Sequence, residues 1–188
     1  MNGSPTDEEL LAAHLEGDPQ AFTELVKRHQ QRLWSIAFRT LGNPSDAEDA
    51  LQEGLIKALR SASSFRGDAA VTSWLHRIVV NAAIDRIRSQ RNAVQTLSSS
   101  LSDGTEVDHL APGNPHGNVE LRLLLENALQ ELPADQRIAV ILVDIEGYSP
   151  AEAGDILNIP PGTVKSRCAR GRARLAVKLR GERENLGR

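Results

Sequence analysis

The sequence predicts an all-α protein made of two small helical domains joined by a flexible linker, and three observations carry the prediction. Apolar residues recur at helical spacing through most of the 188 residues, and the strict alternation of half-buried strands is almost absent. Capping signals stand at regular intervals before those periodic stretches. Between Asn92 and Asn118 the periodicity collapses into a run rich in Ser, Gly, Pro and Asn. A connection this long is either functional or disordered. The expected organisation is therefore a first domain over 1–91, a linker over 92–118 and a second domain over 119–188.

The elements follow in order. Thr6 with Glu9 forms a capping box that opens a first helix running to about Glu16. Asp18–Pro19 opens a long second helix, with Phe22, Leu25, Val26, Leu33, Ile36 and Ala37 on one face and Gly42 at its end. Ser45 and Glu48 read as the capping box of a third helix carrying Ala47, Ala50, Leu51, Leu55 and Leu59. A loop over Ser61–Asp68 precedes a fourth helix from about Ala69 to Arg91, with Trp74, Leu75, Ile78, Ala82 and Ile87 inward. After the linker, helices are expected over Val119–Glu131 and Pro133–Glu146, the latter closed by Gly147. Ser149, Pro150 and Glu152 then supply an N-cap, a first-turn proline and a capping box for a short helix. Pro160–Pro161–Gly162 turns the chain into a last helix.

Composition narrows the function. No apolar run approaches the ~20 residues that cross a bilayer, and no signal-peptide pattern opens the chain, so a cytoplasmic protein without membrane insertion is expected. The single cysteine excludes an intrachain disulfide, and the five histidines have no metal-ligand spacing, so no metal site is expected. No nucleophile–base set or phosphate-binding loop appears, which argues against an enzyme, a small-molecule substrate or a cofactor. The net charge of −3 is unremarkable, but its distribution is not. The first 53 residues hold ten acidic and four basic side chains, whereas Val164–Arg180 holds seven Lys or Arg and no acid. Different partners for the two ends follow.

The last two helices form a helix-turn-helix. At about 100° per residue, Val164, Cys168, Gly171, Leu175 and Leu179 make one apolar stripe of the second helix. Ser166, Ala169, Arg170 and Ala173 fall opposite, flanked by Lys165, Arg167, Arg172 and Arg174. A dry back, a front of small residues and Arg for base edges, and flanking cations for phosphates suit DNA in the major groove. An ordinary cationic surface helix is the competing reading. Cys168 lies on the apolar stripe, where a small buried thiol is commonplace, although its cationic neighbours also allow a redox-sensor reading.

Two segments resemble a known family. DAEDALQEGLIKALRSASSFRGDAAVTSWLHRIVVNAAIDRIRSQ, over Asp46–Gln90, resembles region 2 of an extracytoplasmic-function (ECF) sigma factor of the sigma-70 family. LQELPADQRIAVILVDIEGYSPAEAGDILNIPPGTVKSRCARGRARL, over Leu129–Leu175, resembles region 4. The details WLHRIVVNA and GTVKSRCARGRARLA are similar to the actinobacterial sigma-M branch. The resemblance implies a promoter-specificity subunit with three partners: core RNA polymerase, promoter DNA and an anti-sigma factor.

The resemblance also assigns roles to residues. Asp46, Glu48, Asp49, Gln52 and Glu53 would dock on the coiled-coil clamp helices of the polymerase's largest subunit. Helix capping and a solvated face account for Asp46, Glu48 and Asp49 but not for the continuation through Gln52 and Glu53. Ser63, Ser64, Phe65, Arg66, Gly67 and Asp68 would form, with Asn81, a site for a base flipped out of the −10 element, while Arg77, Arg86, Arg88 and Arg91 would hold phosphates. Extruding a base costs a few kcal/mol and needs polar edges and a stacking surface. Aromatics are scarce here, which implies weak melting power and a demand for close promoter matches. Phe65 reads equally as a loop anchor, and Asn81 as a helix-surface amide. In region 4 the family's base-reading positions fall on Lys165, Ser166, Ala169 and Arg170. Arg170 suits a bidentate contact to guanine, Lys165 a contact to guanine or phosphate. Arg167, Arg172 and Arg174 suit phosphate, and Thr163 a contact at the helix N-terminus. The acidic linker would thread the polymerase cleft, or else be a solvated tether. Two other readings stay open: a free-standing helix-turn-helix regulator, and a sigma mimic that sequesters an anti-sigma factor.

Overall fold

A computed structural model describes residues 4–97 and 119–186, and all the regular elements among them are helical. The helices are α1 (Asp7–Leu15), α2 (Pro19–Leu41), α3 (Pro44–Ser61), α4 (Val71–Leu97), α5 (Val119–Gln130), α6 (Ala134–Val140), α7 (Pro150–Leu157) and α8 (Pro161–Leu186). A 3-10 turn, Ala62–Ser64, follows α3, and a π-helical turn, Ile141–Ile145, follows α6. Most of the expected linker lies outside the described residues.

The caps explain most helix boundaries. Thr6 and Ser149 each accept from the backbone three residues on, while Glu9 and Glu152 reach back to complete both capping boxes. Asp18 caps α2 at Gln20 N, and Gly42 closes it in the left-handed region at φ 77°. The expected Ser45–Glu48 capping box does not form. Asn43 is the N-cap instead, accepting from Asp46 N with Pro44 at the first helical position, so α3 begins one residue before Ser45. Asparagine is as good a cap as serine, and proline at the first position favours this register. Helix α4 starts two residues later than expected and runs past Arg91 to Leu97. The helix expected over Pro133–Glu146 is regular only to Val140, after which the π turn carries the chain to Glu146 and Gly147, at φ 80°.

Helices α1–α4 enclose one core, built on Leu11, Leu25, Leu33, Ala37, Val71, Leu75 and Val79. Helices α3 and α4 meet through small residues, with Ala50, Ala82 and Ala83 fully buried between them. A methyl group on Gly54 would come within 2.9 Å of Val79 Cγ2, so this crossing requires glycine. The second unit packs α8 against α6 just as tightly. A methyl on Gly171 would lie 2.7 Å from Val140 Cγ2. Ala128, Leu129, Leu132, Val140 and Leu175 fill the space between α5, α6 and α8.

The two units do not stand apart. Ile36 of α2 and Val80 of α4 share a buried cluster with Ile138, Ala139, Leu142, Ala153, Ile156, Val164 and Cys168. Ile84 and Ile87 extend it along α4, so Ile87 faces the second unit rather than the interior of its own. Polar bonds frame this contact. Arg32 Nε donates to Glu146 Oε2 at 2.6 Å, and Gln130 Nε2 donates to the Arg39 carbonyl at 2.9 Å. Tyr148 Oη lies 2.6 Å from His76 Nδ1.

Candidate polymerase and nucleic-acid interfaces

The acidic helix α3 presents Glu48, Asp49, Gln52 and Glu53 to solvent, with Asp46 half-buried. Three of these acids also work inside the molecule. Arg86 of α4 donates to Asp46 Oδ1 and Asp49 Oδ2, both at 2.6 Å, and Gln90 Nε2 donates to Asp46 Oδ2 at 2.9 Å. The bond to Asp46 raises the Arg86 pKa further and keeps the guanidinium charged. Glu53 pairs with Lys57 one turn on, at 2.8 Å. Asp46 therefore positions α3 against α4. Glu48 and Gln52, with the half-exposed apolar side chains of Ile56 and Leu59, continue the open face along α3. The sequence reading did not single out Ile56, and Leu59, expected on the apolar stripe with Leu51 and Leu55, is instead half-exposed, because α3 has more hydrophobic positions than its buried stripe requires.

The segment after α3 holds Ser63, Ser64, Arg66, Gly67 and Asp68 exposed. Phe65 differs: it is half-buried, with its ring 5.4 Å from that of Trp74. Both rings pack on the core of α1–α4, so Phe65 anchors the loop. Gly67 takes φ 76°, a conformation that glycine adopts without penalty. On α4, Arg77, Asn81 and Arg88 are exposed. Arg86, expected to reach phosphate, is instead engaged by Asp46 and Asp49.

The helix-turn-helix forms as expected. Asn158 ends α7 in the left-handed region at φ 54°, and the Thr163 and Val164 amides bond the Pro160 carbonyl as α8 begins. Val164, Cys168, Gly171 and Leu175 are buried, while Lys165, Ser166, Ala169, Arg170, Ala173 and Arg174 are exposed. Thr163 and Arg167 are half-buried. Ser166 Oγ donates to the Thr163 carbonyl at 2.9 Å, and Arg170 Nε donates to the Ser166 carbonyl at 3.2 Å, so the Arg170 guanidinium folds back along the helix. Two flanking cations have acidic partners. Arg167 pairs with Asp135 at 3.4 Å, and Arg172 grips Asp144 bidentately at 2.7 and 3.0 Å. The π turn carries Asp144, and the helical wheel of α8 alone could not foresee its placement. Cys168 is buried, and burial pushes its thiol pKa up rather than down, which is the wrong direction for a reactive thiolate.

Among the described residues no group of acids, histidines and cysteine could hold a metal ion, and no helix is long and apolar enough to cross a membrane.

Comparison with known proteins agrees with both halves of this arrangement. The family model for sigma-70 region 2 matches residues 25–93, and that for sigma-70 region 4 matches residues 122–175. The ECF RNA polymerase sigma factor SigM of Mycobacterium tuberculosis is 47% identical over 91% of this chain and 83% of its own length. The ECF sigma-E factor of Escherichia coli K12 is 34% identical, covering 95% and 97%. Among solved structures, the sigma factor RpoE in complex with the anti-sigma factor NepR from Bartonella quintana superposes with a TM-score of 0.72 at 30% identity, covering 85% of this chain and 96% of that one. CnrH in complex with the cytosolic domain of CnrY gives 0.66 at 28% identity, covering 93% and 97%. With region 2 on α2–α4, region 4 on α5–α8 and such relatives over nine-tenths of its length, the chain belongs to the ECF subfamily of sigma-70 RNA polymerase sigma factors.

Proposed function

We propose that this chain is an alternative sigma factor that joins core RNA polymerase in the cytoplasm, directs it to a specific class of promoters and is held inactive by an anti-sigma factor. It has no catalytic chemistry of its own. The polymerase docks on the open face of α3, through Glu48, Asp49, Gln52 and Glu53. Ser63, Ser64, Arg66, Gly67 and Asp68, with Arg77, Asn81 and Arg88, bind the −10 element, and Lys165, Ser166, Ala169 and Arg170 read the −35 element. Arg174, Arg167 and Thr163 hold the backbone there. The observation that carries this reading is the exposed front of α8, where Arg170 stands between the small residues Ser166 and Ala173 while Val164, Cys168 and Leu175 face inward.

The division of labour follows from charge. Phosphate contacts on the flanks of α8 supply affinity without sequence information, and contacts at base edges supply discrimination. The deciding experiment is transcription by purified core polymerase, with and without this protein, across genomic promoter fragments. Initiation from a discrete promoter set only when the protein is present is expected. Unchanged initiation combined with tight duplex binding by the protein alone would favour a free-standing regulator. Binding to an anti-sigma factor without any initiation would favour a mimic.

A further inference from the structure

The two faces assigned to promoter DNA stand side by side in this structure. Arg88 of α4 and Arg167 of α8 line one cavity of about 220 Å³, together with Ile84, Ile87, Ile138 and Leu157. Arg77 borders a second space shared with Asp155, Asn158 and Pro160 of the helix-turn-helix. Elements centred 10 and 35 base pairs upstream are separated by about 85 Å of duplex, at ~3.4 Å per base pair. One molecule in this arrangement cannot reach both. That statement rests on the promoter-binding reading given above.

The contact that closes the arrangement contains a buried titratable group. His76 has no exposed surface, its Nδ1 lies 2.6 Å from Tyr148 Oη across the domain boundary, and its Nε2 is buried without a hydrogen-bond partner among the described residues. The neutral ring suits this setting, because Nδ1 accepts from the Tyr148 hydroxyl. A protonated ring has no acceptor left for that hydroxyl and places a charge on a fully buried side chain. We propose that the His76–Tyr148 contact is a proton-sensitive latch, which holds regions 2 and 4 in a closed arrangement unable to span a promoter and opens when His76 is protonated.

The surrounding charges reinforce the latch. From α2, Arg32 and His29 face the ring and oppose a further positive charge, and His29 is itself held by Asp7 of α1 at 2.6 Å. Glu146 is the nearby acid on the opposite domain, but Arg32 at 2.6 Å and Arg39 at 3.8 Å claim its carboxylate. Ser73 on α4 bonds the Tyr148 hydroxyl, and Glu152 of α7 lies within electrostatic range of it. Burial first, then Arg32 and His29, lower the His76 pKa from 6.5 to about 4. Opening returns the ring to water and to its ordinary value. A pKa depressed in the closed form means that closure is fully favoured above pH 6.5 and weakens as pH falls from 6.5 toward 4. By pH 5.5 the closed-to-open ratio should drop about tenfold, and the full shift of 2.5 units corresponds to ~300-fold.

The test is energy transfer between dyes on the full chain, at nanomolar concentration and without DNA. The dyes sit on Glu8→Cys and Ala176→Cys, both exposed positions in α1 and α8, in a Cys168→Ala background. High transfer at pH 7.5 and a shift toward low transfer at pH 5.5 are expected, with circular dichroism showing the helices intact at both. His76→Gln, which takes up no proton in this range, should show equal transfer at the two pH values. Tyr148→Phe should open at higher pH than the parent, and it carries the test alone if His76→Gln fails to fold. Equal transfer at both pH values in the parent, a His76→Gln chain that tracks the parent, or a Tyr148→Phe chain with an unchanged midpoint would each overturn the latch. None of these outcomes depends on whether the protein initiates transcription, so failure of the latch and failure of the sigma-factor reading are separable.

Discussion

Arg170 and Arg174 lie one turn apart on α8, both exposed, yet they are placed for different work. Arg170 rests against Ser166 on the front of the helix and needs only a side-chain rotation to reach a base edge. A lost bidentate contact removes ~1–3 kcal/mol of discrimination at one base pair. Arg170→Ala should therefore relax preference at a single −35 position, while Arg174→Ala should weaken all sequences alike and flatten the log–log salt slope by about one. Binding profiles against a library of −35 variants at fixed salt distinguish the two, and uniform weakening by Arg170→Ala would refute the readout face. Helical phase sufficed to find this pair. It could not foresee that Arg172 is gripped by Asp144, because the wheel places a side chain around one helix and is blind to an acid arriving from the neighbouring π turn.

At the scale of the element, α3 illustrates how one stripe of acids divides into two tasks. Spacing alone groups Asp46, Glu48, Asp49 and Glu53. Packing separates them, since α4 brings Arg86 and Gln90 against Asp46 and Asp49. Glu48→Arg with Glu53→Arg leaves the Arg86 and Gln90 bonds in place and loses only the exposed Glu53–Lys57 pair, so this double variant should weaken core-polymerase binding at least tenfold with little change in melting temperature. Asp46→Ala should instead cost about 1 kcal/mol of stability, because it removes one arm of a partly exposed network rather than a buried charge. Pull-down against core enzyme and thermal unfolding report the two effects. A stable double variant that binds polymerase at full strength would remove α3 from the interface. Helix existence was legible throughout from period and caps. The start of α3 was not, because Asn43–Pro44 and Ser45 are competing caps of similar quality and only the packed helix selects one.

At the scale of the molecule, regions 2 and 4 share apolar surface that neither can bury alone. Ile36 and Val80 are fully enclosed by Ile138, Leu142, Ala153 and Ile156, and each such side chain contributes about 1.5–3 kcal/mol when buried. A fragment of residues 119–188 exposes that face. It should fold with a lower denaturation midpoint than the same region in the full chain, self-associate as concentration rises and bind −35 duplex with a salt slope near −3 if three or four phosphates are engaged. Urea unfolding, light scattering and salt titration check the three parts. A fragment as stable as the intact chain would show that the shared cluster contributes nothing. At neutral pH His76 stays neutral and the latch stays shut, so the energy of docking on polymerase has to open it.

The sequence by itself determined the all-α class, the two helical units, the helix-turn-helix with its dry and exposed faces, and the family. Each of these rests on local information: period, caps, turn residues and charge within a few turns of the same helix. The tertiary structure alone decided which acids of α3 face outward, which cations of α8 are paired, and that the two units close on each other through Ile36, Val80 and the His76–Tyr148 bond. Those outcomes join residues more than a hundred positions apart, as in Arg32 with Glu146, 114 positions on. An Ile on a helix looks the same in sequence whether it faces its own core or the neighbouring domain, and a lone histidine shows its burial only when the partner across the boundary is in place.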